Sequence, residues 1–317
     1  MTGGKVTERD SLIFSTIRSA KNSTPTTTNY QTMSKIHALA PAYRKLLSKN
    51  APSAIVHLGV GNFFRSHLNY ITHQALENEH STTTTNNNND NNEINNWTIH
   101  GLGLTTDPNE LKLHQALQDQ SHLYSVLSLP SGQLDVVGAL TGLTHVRHSI
   151  QGLEKGLRQL SAPETKIISM TVTEKGYHQN TAGTINFESE DIQSDIQRLS
   201  SNAIRDIQDV YPLKTTLGLI LSGLSLRKHI DIGGGAPVTL LCCDNLPHNG
   251  NVLKSLVHEM ANELDSTKEF SNWITNKVSF PNSMGKLVAQ HDRIKNYFFY
   301  RFFYRSFIFI AGGSNWF

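Results

Sequence analysis

The sequence has 317 residues, 38% of them hydrophobic, with Lys+Arg 28 against Asp+Glu 26 and a net charge of +2. That length holds one large α/β domain or two smaller ones, each with a real core, and the charge balance excludes the basic field that binds nucleic acid or an anionic membrane. The only cysteines, Cys242 and Cys243, are adjacent, which excludes a disulfide framework and a spaced cysteine metal site; no metal is expected, and a reducing, cytoplasmic compartment fits.

Residues 1–34 are polar, with STPTTTN near their end, and predict a disordered arm. The opening MTGGKVTERDSLIFSTIRSA lacks the apolar core of a signal peptide, and Glu8 and Asp10 argue against a transit peptide. No run approaches the roughly 18 apolar residues of a membrane span. KIHALAPAYRKLLSK (35–49) reads as a helical lead-in broken by Pro41. SAIVHLG is the first strand, a continuous apolar run of the kind buried on both faces of a parallel sheet. FFRSHLNYITHQALEN then carries apolar residues at helical spacing, and HSTTTTNNNNDNNEINN (80–96) is a low-complexity insert that predicts an unpacked surface loop.

WTIHGLGL (97–104) predicts the second strand and NELKLHQALQDQ the second helix. LYSVLSL and QLDVVGAL predict a strand pair around a turn at 130–132, SIQGLEKGLRQLSA an amphipathic helix, and KIISMTVT (166–173) another buried strand. DIQSDIQRLSSN and LKTTLGLILSGLSLRKH read as helical, PVTLLCCDN as a strand and NVLKSLVHEMANEL as a helix, with FSNWITNKVSFPN completing the organised part. Strands alternating with helices predict an α/β fold with a doubly wound, mostly parallel sheet. After Met284 the chain is crowded with Phe, Tyr and Ile without a clean strand or helix period, and predicts no folded domain over 285–317.

LGVGNFFRSH follows the first strand and raises the question of a nucleotide site. Gly59 suits a tight turn, and Gly61 lets the backbone approach a pyrophosphate. The third glycine of Gly-x-Gly-x-x-Gly is replaced by Phe64, which predicts a different helix placement, and Arg65 could reach a phosphate. Asp107, after the second strand, is the candidate for the ribose hydroxyls; it would repel a 2′-phosphate and so favours NAD over NADP. TVTEKGY places Glu174, and CCDNLPHNG places Asp244 and Asn245, at the carboxyl ends of later strands, where α/β ligands bind. Each feature also has a structural reading, as a plain turn or as an Asp or Asn capping the next helix.

Taken in order, IVHLGVGNFFRSH, WTIHGLGL, KIISMTVTEKGYH, CCDNLPHNG and FPNSM resemble the mannitol dehydrogenase family of zinc-independent, long-chain polyol dehydrogenases, over residues 35–284. That family's turn has the form Gly-x-Gly-x-Phe-His-Arg-x-His; Phe63, Arg65 and His67 match it, and Phe64 stands where its histidine is usual. The resemblance implies a Rossmann-type first domain binding NAD or NADP, and hydride transfer between the cofactor and a polyol or sugar-acid substrate. Oligomeric state is not read from it. The implied cofactor contacts are His57, Leu58, Gly59, Val60 and Gly61 with Asn62, Phe63, Phe64, Arg65 and Ser66, together with Asp107 and Glu174. Asn245 is the implied catalytic residue, one of two asparagines that donate to the developing alkoxide.

The pattern breaks after Met284. The family continues Val-Asp-Arg-Ile-Thr-Pro, whereas here Gly285, Lys286, Leu287 and Val288 follow. The family's catalytic Lys-x-x-x-x-Asn-x-x-His is also absent: Lys295 is followed by Tyr300 and Phe303 at the matching positions. The expectation is a chain without the family's helical second domain and with little or no turnover. Gly-Lys-Leu can be encoded as GGT-AAG-TTG, which contains the splice-donor sequence GTAAGT, so the tail is expected to be translated intron. Two other readings stand beside the oxidoreductase: a non-catalytic nucleotide-binding protein, and a truncated product that folds poorly.

Overall fold

The structure is a computed structural model that describes residues 53–83, 97–128, 133–200, 207–230, 235–244 and 246–283. The expected arm, the lead-in helix and the tail after Met284 lie outside the described residues. Among the described residues two units can be distinguished: Leu123–Gly138, and a body formed by those within Pro52–His122 and from Ala139 onward. In the first, β3 (Tyr124–Ser128) and β4 (Gln133–Val137) pair antiparallel, as expected; the turn at 130–132 is outside the described residues.

The body begins with β1 (Ile55–Leu58), α1 (Asn62–Ser66), α2 (Leu68–Thr83), β2 (Ile99–Gly103) and α3 (Pro108–Asp119). It resumes with β5 (Leu140–His145), α4 (Ile150–Ser161), β6 (Ile167–Met170), a 3₁₀ turn (Glu174–Tyr177), α5 (Glu190–Ser200), α6 (Ile207–Val210) and α7 (Thr216–Ile230). Last come β7 (Val238–Cys242), α8 (Asn249–Leu264), α9 (Glu269–Lys277) and β8 (Val278–Ser279). The sheet has six strands in the order β5-β2-β1-β6-β7-β8, every neighbouring pair parallel. Winding starts at β1, runs out to β5, then crosses back and continues from β6 to β8. This is the doubly wound α/β fold that the alternation of elements predicted.

Every residue of β1, β2 and β6 is buried, as a parallel sheet covered on both faces requires. Helix α4 shows how the cover is built. Ser149 accepts the Gly152 N–H at 3.0 Å and starts the helix, and Leu153, Leu157 and Leu160 face inward, each contributing about 2 kcal/mol by burial. Arg227 of α7 is buried too, and its guanidinium donates to the carbonyls of Leu160, Ala162, Thr165, Ala236 and Pro237. Burial lowers its pKa to about 10, so it stays charged while tying α4 to the chain entering β6 and β7.

One boundary differs from expectation. Helix α2 continues to Thr83, four residues into the stretch 80–96 that predicts an unpacked loop. Once a helix exists, each added residue gains a hydrogen bond, so poor helix formers extend it by about one turn. Among the described residues no helix is long and apolar enough to cross a membrane.

Candidate functional site

Strand order reverses between β1 and β6, so the loops leaving their carboxyl ends flank the crevice where open α/β sheets take ligands. These loops touch. Gly59 has φ +95°, and a Cβ on it would lie 2.3 Å from the Thr171 carbonyl oxygen. Conformation and close approach both demand glycine. Side chains brace the contact: the Thr171 hydroxyl donates to the Gly59 carbonyl at 3.2 Å. Its oxygen therefore accepts from His57 Nε2 at 2.9 Å, and His57 Nδ1 accepts from the Ser169 hydroxyl at 2.8 Å. Burial lowers the His57 pKa to about 3, which keeps the ring in the neutral form this relay needs.

Val60 is fixed from two sides. Its side chain is buried, with Cγ2 2.7 Å from where a Cβ on Gly101 would stand. Its carbonyl accepts from His114 Nε2 at 3.3 Å and from Arg65 at 3.5 Å. Gly61 is different. Its φ of −83° and ψ of −175° suit any residue, and a Cβ there would meet no protein atom within 4 Å. The described structure gives no conformational or packing reason for a glycine at 61, and its main chain lies open. The N–H groups of Val60, Gly61 and Asn62 meet no backbone acceptor among the described residues.

Several expected contacts need correction. The Gly59 N–H donates to the Leu102 carbonyl at 3.0 Å, extending the ladder, so it does not serve a ligand. The side chains of His57, Leu58 and Phe64 are fully buried. Phe64 stacks on His57 with ring centroids 4.1 Å apart. These three support the turn from beneath rather than face a cofactor. With Phe64 turned inward where the third glycine was expected, α1 is a five-residue helix that ends at Ser66 before α2 begins. Phe63 stacks on His67 at 4.3 Å, and the Ser66 hydroxyl bonds back to the Asn62 carbonyl at 3.0 Å. Arg65 reaches over the turn to the Asn62 side chain.

At the carboxyl end of β7 the polar groups serve the chain itself. Asn249 is fully buried; its two side-chain N–H groups are shared among the carbonyls of Cys242 (3.1 Å) and Asp244 (2.9 Å) and the Ser283 hydroxyl (2.6 Å), and its carbonyl oxygen accepts from Ser283 N–H (2.9 Å). Asn282 accepts the Gly250 and Asn251 N–H groups at 2.9 and 3.1 Å. CCDNLPHNG and FPNSM are thus two halves of one clamp. Asp244 accepts the Val172 N–H at 3.0 Å and the Tyr177 hydroxyl, and burial raises its pKa. Asn245 lies outside the described residues; its neighbours Asp244 and Leu246 are joined by a 2.9 Å main-chain bond. Glu174 opens the 3₁₀ turn after β6. Asp107 is exposed and caps α3, accepting the Asn109 N–H at 2.7 Å, so the capping reading describes its present contact.

The family described as the mannitol dehydrogenase Rossmann domain matches residues 53–296. The chain belongs to the mannitol dehydrogenase family. Among its relatives in that family are the polyol:NADP oxidoreductase of Gluconobacter oxydans, 32% identical over 73% of this chain and 41% of its own length, and the mannitol 2-dehydrogenase of Cereibacter sphaeroides, 32% identical over 77% and 44%. The mannitol 2-dehydrogenase of Pseudomonas fluorescens, solved as a ternary complex with NAD and D-mannitol, superposes with a TM-score of 0.58 at 28% identity, over 74% of this chain and 42% of that one. The chain therefore spans less than half the length of these mannitol dehydrogenase relatives.

The motifs read from the sequence lie at the carboxyl ends of β1, β2, β6 and β7, but many residues that hold the candidate site were not singled out. His114, Gly101, Ser169, Thr171, Asn249 and Asn282 hold its two ends. Two signals were available: the alternate glycines of WTIHGLGL, and the repeated asparagines of CCDNLPHNG and FPNSM.

Proposed function

We propose that this chain is the cofactor-binding part of a polyol oxidoreductase, taking NAD, with NADP as the alternative, in the crevice between the β1 and β6 loops. The observation that carries this reading is the pair of glycines: Gly59 is required by the fold, whereas Gly61 is not and leaves open backbone at the switch point. The relative solved with NAD and D-mannitol supports it.

In this reading the N–H groups of Val60, Gly61 and Asn62 receive the pyrophosphate, and Arg65 adds a charge-assisted contact. Asp107 reaches the ribose with the carboxylate oxygen its cap leaves over, and Glu174 lies toward the nicotinamide. The bound cofactor supplies the hydride acceptor or donor for a polyol or sugar-acid carbon. Asn245 donates to the oxygen on that carbon, in a loop whose flanks are held by Asp244 and Asn249. The family's lysine pattern occurs nowhere in these 317 residues, so we expect binding without polyol turnover by the chain alone.

NADH fluorescence titration tests the reading, followed by assays of mannitol with NAD and fructose with NADH. Saturable NADH binding supports it, and its absence overturns it. Turnover in either assay would show that the chain is an enzyme by itself and overturn the expectation of binding alone.

A further inference from the structure

We propose that His114 is a positioning residue of the nucleotide turn, holding the Val60 carbonyl inward so that the Gly61 N–H faces outward toward a diphosphate. This rests on the cofactor-binding reading above and names how the site is held ready. The peptide joining Val60 to Gly61 is planar and trans, so its C=O and N–H point in opposite directions. Whatever fixes the carbonyl on the protein side therefore aims the amide at the crevice.

His114 meets that requirement from α3, a separate element 54 positions along the chain. The ring is buried, and its Nε2 approaches the Val60 oxygen at 3.3 Å. A carbonyl can only accept, so Nε2 carries the proton of the neutral ring. Burial is the main cause that lowers the His114 pKa, and the charge of Arg65 adds to it. Nδ1 has no hydrogen-bond partner among the described residues, so the turn is the one polar contact recorded for the imidazole.

A leucine would fill this space without burying an unsatisfied nitrogen, which costs stability. Histidine at this place is explained by what Nε2 does. The sheet makes room for it: a Cβ on Gly103 would lie 3.2 Å from His114 Nδ1 and 2.9 Å from Nδ1 of His145, whose ring is the neighbour at 4.9 Å.

The test uses the 317-residue chain and three probes: NADH, ADP-ribose, which keeps the diphosphate, and adenosine, which lacks it. His114→Leu should weaken NADH and ADP-ribose by about tenfold, the worth of one well-placed hydrogen bond, and leave adenosine unchanged. His114→Gln, which restores an N–H near the same point, should return both to within about threefold of the unmodified chain. Should leucine prevent folding, His114→Met fills the space with a more adaptable side chain and takes its place. Equal losses for adenosine and ADP-ribose, unchanged affinities, or no recovery with glutamine overturn the inference. No binding of NADH or ADP-ribose by the unmodified chain overturns the cofactor reading itself, and this inference with it.

Discussion

At the β1 loop, side chains from three other places in the chain bond to the turn, and they take its carbonyls: Thr171 the carbonyl of Gly59, His114 and Arg65 that of Val60. The N–H groups of Val60, Gly61 and Asn62 meet no backbone acceptor among the described residues. At the β7 loop the balance is reversed. Asn282 takes the first N–H groups of α8, Asp244 takes that of Val172, and Asn249 joins three segments with both ends of its amide. One loop leaves main-chain donors without backbone acceptors among the described residues, as the proposed cofactor site requires; the other consumes them to fix its own path. A glycine-rich motif and an asparagine-rich motif at the same sheet edge therefore carry different kinds of information.

The two glycines of the first loop give the strongest way to break this comparison. Gly59→Ala places a Cβ against the Thr171 carbonyl in a left-handed conformation, and should cost at least about 4 kcal/mol, enough to lower the thermal midpoint by more than about 8 °C or prevent folding. Gly61→Ala meets only open space; its stability should stay within about 0.5 kcal/mol of the unmodified chain, while NADH affinity falls. Equal loss of stability from both changes would show that Gly61 also serves the fold.

For the second loop, Asn249→Leu keeps the volume but strands the N–H of Ser283 and takes one of two donors from each of the carbonyls of Cys242 and Asp244. A loss of about 3 kcal/mol is expected in urea unfolding. A loss under about 1 kcal/mol would mean that the clamp is not what fixes this loop.

Acid should expose the support beneath the first loop. His57 takes up its proton near pH 6.5 when unfolded but only near about 3 when folded, so the folded state binds fewer protons between those values. Stability is thus full above about pH 6.5 and declines on acidification by about 1.4 kcal/mol per pH unit for this one group. His100, lowered to about 4 by burial and the charge of Lys155, adds to the slope in the same direction. His57→Gln should make the decline shallower by one proton, and an unchanged slope would place the acid sensitivity elsewhere.

Much of the fold was legible because it depends on local pattern. The run Ile55–Leu58 is buried as a parallel strand should be, and strands alternating with helices give the doubly wound order. That same burial keeps the His57 and Leu58 side chains out of the crevice, since side chains of a strand covered on both faces point into the packed layers. Other features are contacts between distant positions, with no local signature. His114 meets Val60 across 54 positions, Asn249 meets Ser283 across 34, and Arg227 gathers carbonyls from two loops. Phe64 was read as a missing glycine because the motif records what is usual, whereas its place here is set by the ring of His57 below it.

Asp107 offers the finest test, since it belongs by contact to the fold and, in the proposed reading, to the cofactor site as well. Its carboxylate caps α3 through the Asn109 N–H, so Asp107→Ala should cost about 1 kcal/mol. Asp107→Ser keeps a capping oxygen and should restore most of that stability. The two roles then separate cleanly. If the carboxylate also holds the ribose, serine leaves NADH binding weakened and narrows the preference for NADH over NADPH, because the charge that repels a 2′-phosphate is gone. If serine restores affinity together with stability, Asp107 is a helix cap and nothing more, and the ribose is held by another group.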